Sequence, residues 1–190
     1  MIKGIVFDCF GVLYGGSLEY FASIAPKDRV RDVVDINRQK DYGYISLEEY
    51  LEQTGEILGK SPDEIATIVR RKHVRNQELV DFVRQVRSEY KTAMLSNIGE
   101  RMMDELIPPD EQAELFDAVV LSYREGLVKP HPEVFVLTAD RMGLNPSECV
   151  MIDDIEENCD GAEIAGMQSI RHVNNDLTRE KLARILKSNS

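Results

Sequence analysis

The chain has 190 residues, enough for one domain with a sizeable insertion, since domains average roughly 150 residues. Hydrophobic residues make up 43% and charged residues 30%, a balance that supports a packed core and excludes a wholly disordered chain. Acidic residues outnumber basic ones by 34 to 23, and a surface with a net charge of −11 repels nucleic acid and anionic membranes. We therefore expect neither as a partner, and an anionic substrate would need a local positive charge.

The N-terminal segment is not typical of a secretory signal, because Asp8 interrupts its apolar run after a few residues. No segment approaches the roughly 20 apolar residues of a transmembrane helix. The three cysteines, Cys9, Cys149 and Cys159, match neither a disulfide scaffold nor a zinc ribbon. We expect a cytoplasmic protein.

Short apolar runs that end at polar residues predict the strands of a sheet. They cover residues 2–7, 90–95, 118–121, 149–152 and 168–173. Helical patterns lie over residues 99–106, 132–142 and 158–165, and a charged helix follows Asp176. This alternation predicts an α/β fold in which a parallel sheet carries helices on both faces. Ligands of such folds bind beyond the carboxyl ends of the strands, where these polar residues are expected to lie.

Residues 15–85 lack a clear strand pattern and show helical periodicity instead. Ser61-Pro62-Asp63-Glu64 is typical of a helix start. We therefore expect a small all-helical cap over residues 15–85, inserted after the first strand, and a core formed by residues 1–14 and 86–190. A cap inserted there would lie over the edge of the sheet that carries the polar residues.

Carboxylates at the strand ends indicate a nucleophile and a metal site. Asp8 precedes Gly11, a residue that lets backbone N–H groups approach a ligand closely, and a carboxylate in this place can attack phosphorus to give an aspartyl-phosphate. Asp153 and Asp154 add hard oxygen ligands that, with Asp8, suit Mg²⁺. Without a cation the neighbouring carboxylates would repel one another. The alternatives are that Asp8 caps a loop and that the acidic run is solvated.

Two further segments carry candidate substrate-binding residues. Ser96 and Asn97 follow a strand, where they can hydrogen-bond a transferring group from the side opposite a metal, or else cap a helix. Lys129 lies between the turn residues Gly126 and Pro130. Its ammonium can neutralise phosphoryl oxygens and the nucleophile, and the alternative is an exposed loop lysine.

Four segments, taken in order, resemble the motifs of the haloacid dehalogenase (HAD) superfamily: FDCFGVL, LSN, GLVKPHPEVF and MIDDIEENCDGAEIAGM. The resemblance spans nearly the whole chain and implies a Rossmann-like core with a helical cap of the C1 type, as in subfamily I. It implies that Asp8 is the nucleophile, Ser96 binds phosphate and Lys129 balances charge. It also implies a Mg²⁺ site formed by Asp8, the backbone carbonyl of Phe10, Asp154, and Asp153 directly or through water.

Phe10 departs from the pattern of the family's phosphatases, which usually carry a second Asp at this position. That Asp serves as general acid and base, a contribution of about 10²–10⁴-fold. Its absence favours substrates whose leaving oxygen needs little protonation, such as acyl, aryl or anomeric phosphates. A sugar-1-phosphate phosphatase branch of the family also lacks it and keeps the acidic pair. His131, close to Lys129, is a further candidate proton donor, and a surface-loop histidine is the alternative.

The leading hypothesis is a Mg²⁺-dependent phosphomonoester hydrolase that acts on a small phosphorylated metabolite, such as a sugar phosphate, through an aspartyl-phosphate at Asp8. Two alternatives stay open. A metal-independent 2-haloacid dehalogenase is favoured by Phe10, because the family's dehalogenases place an aromatic residue there, and is opposed by Asp153 and Asp154. A phospholigand-binding module with little turnover is also favoured by Phe10. The sequence does not indicate an oligomeric state.

Overall fold

Five short strands form one parallel sheet in the computed structural model, which describes residues 1–98, 103 and 106–188. They are β1 (Gly4–Phe7), β2 (Lys91–Ser96), β3 (Ala118–Leu121), β4 (Cys149–Asp153) and β5 (Gln168–Arg171). Their order across the sheet is β3-β2-β1-β4-β5, and all four pairings are parallel. The predicted parallel sheet is confirmed. The run predicted over residues 2–7 becomes a strand only at Gly4, where its pairing with β2 and β4 begins.

The described helices are α1 (Leu18–Ile24), α2 (Val30–Asp41), α3 (Leu47–Leu58), α4 (Pro62–Lys72), α5 (Gln77–Val86), α6 (Pro109–Leu115), α7 (Ser122–Glu125), α8 (Pro132–Arg141), α9 (Glu156–Ile164) and α10 (Asn175–Ser188). A short 3₁₀ helix, Pro146–Glu148, precedes β4. The helix predicted over residues 99–106 lies outside the described residues, apart from positions 103 and 106. None of the described helices is both long enough and apolar enough to cross a membrane.

Alternate residues of the buried strands enter two separate hydrophobic clusters, which shows that both faces of the sheet are covered. Ile5 and Phe7 belong to one cluster, together with apolar residues of α5 and α10. Val6 belongs to the other, together with apolar residues of α8 and α9. The prediction of helices on both faces is therefore confirmed.

Helices α1 to α4 have a cluster of their own, built around Phe21, Tyr50 and Ile65. Capping boxes begin α3 at Ser46 and α4 at Ser61, and the second of these confirms the predicted helix start. Helix α5, which the expected cap boundary at residue 85 includes in the cap, instead contributes buried residues to the cluster on the sheet. The division into cap and core stays a prediction, and we propose that the cap ends before α5.

Candidate active site

The carboxylates that follow β1 and β4 are brought together by the pairing of these two adjacent parallel strands. Phe7 pairs with Ile152, and the Asp8 amide continues the ladder by donating to the Ile152 carbonyl at 2.9 Å. Asp8 and Asp153 therefore leave the sheet side by side at its carboxyl edge. Their side chains are buried, with 5% and 0% of the residue exposed.

The Lys129 ammonium joins these two carboxylates. Its Nζ lies 2.8 Å from Asp8 Oδ1 and 2.6 Å from Asp153 Oδ2, and the lysine is only 3% exposed. Burial lowers the pKa of Lys129, but the charges of Asp153 and Asp8 outweigh that effect and raise the pKa above its usual value. Lys129 is thus a fixed, permanently charged cation next to Asp8, and the exposed-loop alternative for it is wrong.

Asn97 holds the Lys129 backbone in place. Its side-chain Nδ2 donates to the Lys129 carbonyl at 2.9 Å, and its Oδ1 accepts from the Lys129 amide at 2.9 Å. One donor and one acceptor of the Asn97 side chain are therefore engaged by hydrogen bonds within the protein. Asn97 also lines the cavity described below, so its predicted contact with a substrate stays a prediction alongside this observed positioning role.

Asp153 is satisfied by protein donors on both of its oxygens. Oδ2 accepts from Lys129, while Oδ1 accepts from the Ile155 amide at 2.9 Å and from Asn158 Nδ2 at 3.0 Å. This arrangement fixes the loop between β4 and α9. The structure therefore shows Asp153 in contact with Lys129, and its predicted role as a metal ligand stays a prediction.

Three carboxylates fit a divalent cation at this edge. One oxygen each from Asp8, Asp153 and Asp154 lies within 4.8 Å of the others, and Asp154 Oδ1 is buried without a hydrogen-bond partner among the described residues. Gly11, with φ of +84°, makes room for Asp154, because a Cβ on this glycine would lie 2.2 Å from the carboxyl group. The hard oxygen donors suit Mg²⁺. The part predicted for the Phe10 carbonyl stays a prediction.

The pKa values of two of these carboxyls are raised. Burial is the main cause for both, and repulsion from Asp153 adds to it. The pKa of Asp154 reaches about 6, and that of Asp8 lies well above its usual value although Lys129 acts against the rise. A bound cation would relieve this accumulation of negative charge.

Ser96 ends β2 at the same edge of the sheet. The residue is 1% exposed, and its Oγ has no hydrogen-bond partner among the described residues. A buried hydroxyl without a partner is uncommon in folded proteins and calls for an explanation, such as a ligand oxygen. The predicted phosphate-binding role is compatible with this atom and stays a prediction.

Phe10 packs on a histidine that sequence reasoning missed. The rings of Phe10 and His73 lie 4.6 Å apart, with His73 at the C-terminal end of α4. Burial and, second, the charge of Lys40 lower the pKa of His73 to about 4. The ring is therefore neutral at pH 7 and lacks the extra proton of a general acid. The other candidate, His131, is exposed and does not line the cavity.

A cavity of about 530 Å³ connects these residues, within the about 300–1,000 Å³ typical of small-ligand sites. Asp8, Phe10, Asn97, Lys129 and Asp154 line it, whereas Ser96 and Asp153 are buried and do not. Eight lining residues that the sequence did not single out come from residues 15–85, namely Gly16, Ser17, Leu18, Glu19, Asn37, Lys40, Asp41 and His73. Helical periodicity located the helices of this segment but gave no sign of which side chains would face the sheet edge.

Comparison with known proteins identifies several relatives of similar length. The chain is 25% identical to D-ribitol-5-phosphate phosphatase of Bacteroides thetaiotaomicron, over 99% of this chain and 100% of that protein. It is 27% identical to (S)-2-haloacid dehalogenase of Xanthobacter autotrophicus, over 99% of this chain and 81% of that one. A match to mouse acyl-CoA dehydrogenase family member 10, 29% identical over 68% of this chain, covers only 13% of that longer protein.

A solved structure agrees with the fold. It is a HAD family enzyme of Bacteroides thetaiotaomicron in complex with magnesium and inorganic phosphate, 26% identical, with a TM-score of 0.67 over 90% of this chain and 93% of that one. The family model of the haloacid dehalogenase-like hydrolases matches residues 2–166. Because this match covers most of its length, the chain belongs to the haloacid dehalogenase-like hydrolases.

Proposed function

We propose that the chain is a Mg²⁺-dependent phosphomonoester hydrolase that works through an aspartyl-phosphate at Asp8. The observation that carries this proposal is the buried Lys129 ammonium between Asp8 and Asp153, beside the third carboxylate of Asp154. In a protein with a net charge of −11, a phosphoryl group needs such local positive charge. A relative named as a sugar-alcohol phosphate phosphatase supports it.

In the first step, Asp8 attacks the phosphorus of the substrate. Asp8 Oδ1 is engaged by the Cys9 amide at 2.6 Å and by Lys129, so we assign the attack to Oδ2. The new bond from this oxygen to phosphorus forms as the bond from phosphorus to the ester oxygen breaks. The ester oxygen leaves with the bonding electrons and takes a proton from water, because Phe10 offers none. Lys129 neutralises charge on the phosphoryl oxygens during the transfer.

In the second step, a water oxygen attacks the same phosphorus. The bond from phosphorus to Asp8 breaks, inorganic phosphate leaves, and the Asp8 carboxylate is restored. The water releases one proton, which balances the proton taken by the leaving group. Mg²⁺, when bound, supplies positive charge that lowers the repulsion between the nucleophile and the phosphoryl group. Asp8 and Asp154 would hold it, with the Phe10 carbonyl and with Asp153 directly or through water.

The proposed substrate is a small phosphorylated metabolite, and its leaving group has to tolerate the missing acid. Residues of α1 and α2, with His73 at the end of α4, line the cavity, and shielding of the bound substrate from bulk water by this side of the site would favour transfer. We place the reaction in the cytoplasm, consistent with three cysteines that are all free and buried.

Hydrolysis of 4-nitrophenyl phosphate, with and without a chelator, tests this function. The Asp8→Asn variant is expected to lower kcat at least about 10⁴-fold, because the amide is a poor nucleophile. Asp28→Asn is the matched control, since Asp28 is exposed between α1 and α2 and does not line the cavity. It should keep the full rate. Substantial activity in Asp8→Asn, or a wild-type rate unaffected by the chelator, would refute the mechanism.

Metal-independent dehalogenation of a 2-haloacid is the second candidate. A halide leaves without a proton, so this reaction needs no acid at the position of Phe10, and one relative is named as a dehalogenase. The accumulation of three carboxylates opposes it, since a haloacid carboxylate would be repelled without a cation. Release of halide from 2-chloropropionate in the presence of a chelator, with no phosphatase activity, would favour this candidate over the proposed one.

A further inference from the structure

Three polar side chains of α2 form a hydrogen-bonded group on the cap side of the cavity, facing the same space as Asp8 and Lys129. Lys40 Nζ lies 3.0 Å from Asp41 Oδ1, and Asn37 Nδ2 donates to Asp41 Oδ2 at 2.8 Å. Lys40 also donates to Asn37 Oδ1 at 3.4 Å. We call Asn37, Lys40 and Asp41 the cap triad.

The cap triad is largely withdrawn from solvent. The side chains of Lys40 and Asp41 are 20% and 22% exposed, and the Lys40 ammonium lies 4.8 Å from the centre of the Tyr50 ring. Removing an ion pair from water carries a desolvation cost that its Coulomb attraction often fails to recover. Apolar residues in place of the ion pair therefore commonly give the same stability or more. A small helical cap therefore gains little stability from these charges, which points to a role toward the cavity.

The position of the triad relative to the catalytic residues is fixed by α7. Ser122 Oγ accepts from the Ile98 amide at 2.9 Å, and its one hydrogen can be donated to the Asp41 carbonyl at 3.3 Å or to the Ile98 carbonyl at 3.2 Å, which places the end of α2 beside the loop after β2. Burial raises the pKa of Asp41, and the charges of Lys40 and Lys129 act against that rise. The field of Lys129 thus reaches Asp41 across the cavity.

The hydrogen-bonding capacity of the triad is not exhausted. Among the described residues, the Lys40 ammonium has two polar partners for three N–H groups, and each Asp41 oxygen has one partner where a carboxylate oxygen accepts about two. The triad therefore offers a donor and acceptors side by side, with no net charge. A hydroxyl group, which both donates and accepts, satisfies such a pair.

We infer that the cap triad binds hydroxyl groups of the substrate's organic part and so selects phosphate monoesters of uncharged sugars. This inference rests on the proposed phosphatase function. It assigns the choice of substrate to Lys40 and Asp41, whereas the transfer of the phosphoryl group belongs to Asp8 and Lys129. An aryl phosphate, which lacks hydroxyl groups, makes no use of the triad.

The Lys40→Met variant tests the inference with two substrates, glucose 1-phosphate, which is an anomeric phosphate with free hydroxyl groups, and 4-nitrophenyl phosphate. We expect kcat/KM for the sugar phosphate to fall about 10-fold to 100-fold more than kcat/KM for the aryl phosphate, because only the sugar phosphate loses a hydrogen bond to the charged group. Lys27→Met, an exposed lysine between α1 and α2, is the matched control and should change neither. Equal losses with both substrates, or no loss with either, would overturn the inference.

Asp41→Asn keeps the size of the side chain and provides a second test in case Lys40→Met does not fold. It leaves the charge of Lys40 uncompensated, so the preference should shift at least about 10-fold from glucose 1-phosphate toward glucuronic acid 1-phosphate, which carries a carboxylate. Unchanged selectivity in an active Asp41→Asn variant would overturn the inference alone. A wild-type protein that is inactive on 4-nitrophenyl phosphate would refute the proposed function, and this inference with it.

Discussion

The burial of the Ser96 side chain reduces the stability of the fold. Its hydroxyl is buried and has no partner among the described residues, and an unsatisfied buried polar group costs about 1–3 kcal/mol. Thr92, on the same strand, is equally buried, yet its Oγ1 donates to the Leu115 carbonyl at 2.6 Å. The two hydroxyls on this strand therefore differ: that of Thr92 has a backbone partner within the fold, whereas that of Ser96 has none among the described residues, as expected for a group that binds a ligand.

We expect Ser96→Ala to keep or raise the free energy of unfolding, by up to about 1 kcal/mol, because it removes the unsatisfied group. The same change should lower kcat/KM for 4-nitrophenyl phosphate about 100-fold, because a phosphoryl oxygen loses a donor. Urea unfolding and steady-state kinetics measure the two effects. Thr92→Val should do the reverse, with a loss of about 1–2 kcal/mol and no kinetic change beyond about 2-fold. A loss of stability in Ser96→Ala that equals the loss in Thr92→Val would contradict the binding role.

The sequence predicted where the site residues lie but not how they are engaged. Asp8, Ser96 and Asp153 could be placed because buried parallel strands are apolar and end at one edge. Lys129 was a candidate because it lies between turn residues, but a single loop lysine carries no periodic signal that would show its burial beside Asp8. The contacts of Asn97 with the Lys129 backbone depend on side-chain orientation, which no sequence pattern encodes.

At the scale of elements, the core was easier to predict than the cap. The strands follow from short apolar runs, and their boundaries moved by only one or two residues. The end of the cap stays a prediction, because α5 has the amphipathic pattern that a helix of either unit would show. Only the tertiary structure shows that α5 buries Leu79, Val80 and Val83 against the sheet.

Native-state hydrogen exchange can locate that boundary. Helices α1 to α4 share a separate cluster, so we expect them to open together without unfolding the sheet. Amides of α5 should exchange with those of β1 and β2, at least about 10-fold more slowly than amides of α3, which corresponds to about 1.4 kcal/mol. Exchange of α5 in step with α3 would instead support a cap that extends to residue 85.

At the scale of the whole molecule, the site and the stability of the fold are coupled through charge. The pKa of Asp154 is raised from 3.8 to about 6, and that of Asp8 is raised as well. The metal-free folded state therefore keeps protons on these two carboxyls that the unfolded chain has lost, so their contribution to the free energy of unfolding falls as pH rises from about 4 to about 6. His73, whose pKa is lowered to about 4, contributes in the opposite direction over this range, because the unfolded chain binds the proton that the folded state excludes. Glu148, whose pKa is lowered to about 2, acts in the same direction as His73, but only below about pH 4.5.

Mg²⁺ should reverse this loss, because it binds the folded state through the charged carboxylates. At ten times its Kd it is expected to add about 1.4 kcal/mol at pH 7.5 and much less at pH 5, where protons compete for Asp154. Asp154→Asn removes both the repulsion and a ligand. In calorimetry at pH 7.5 the variant should be more stable than the wild type without Mg²⁺ and gain less from it. An equal gain from Mg²⁺ in both proteins would show that the cation binds away from Asp154, and the metal site proposed at this edge of the sheet would then be wrong.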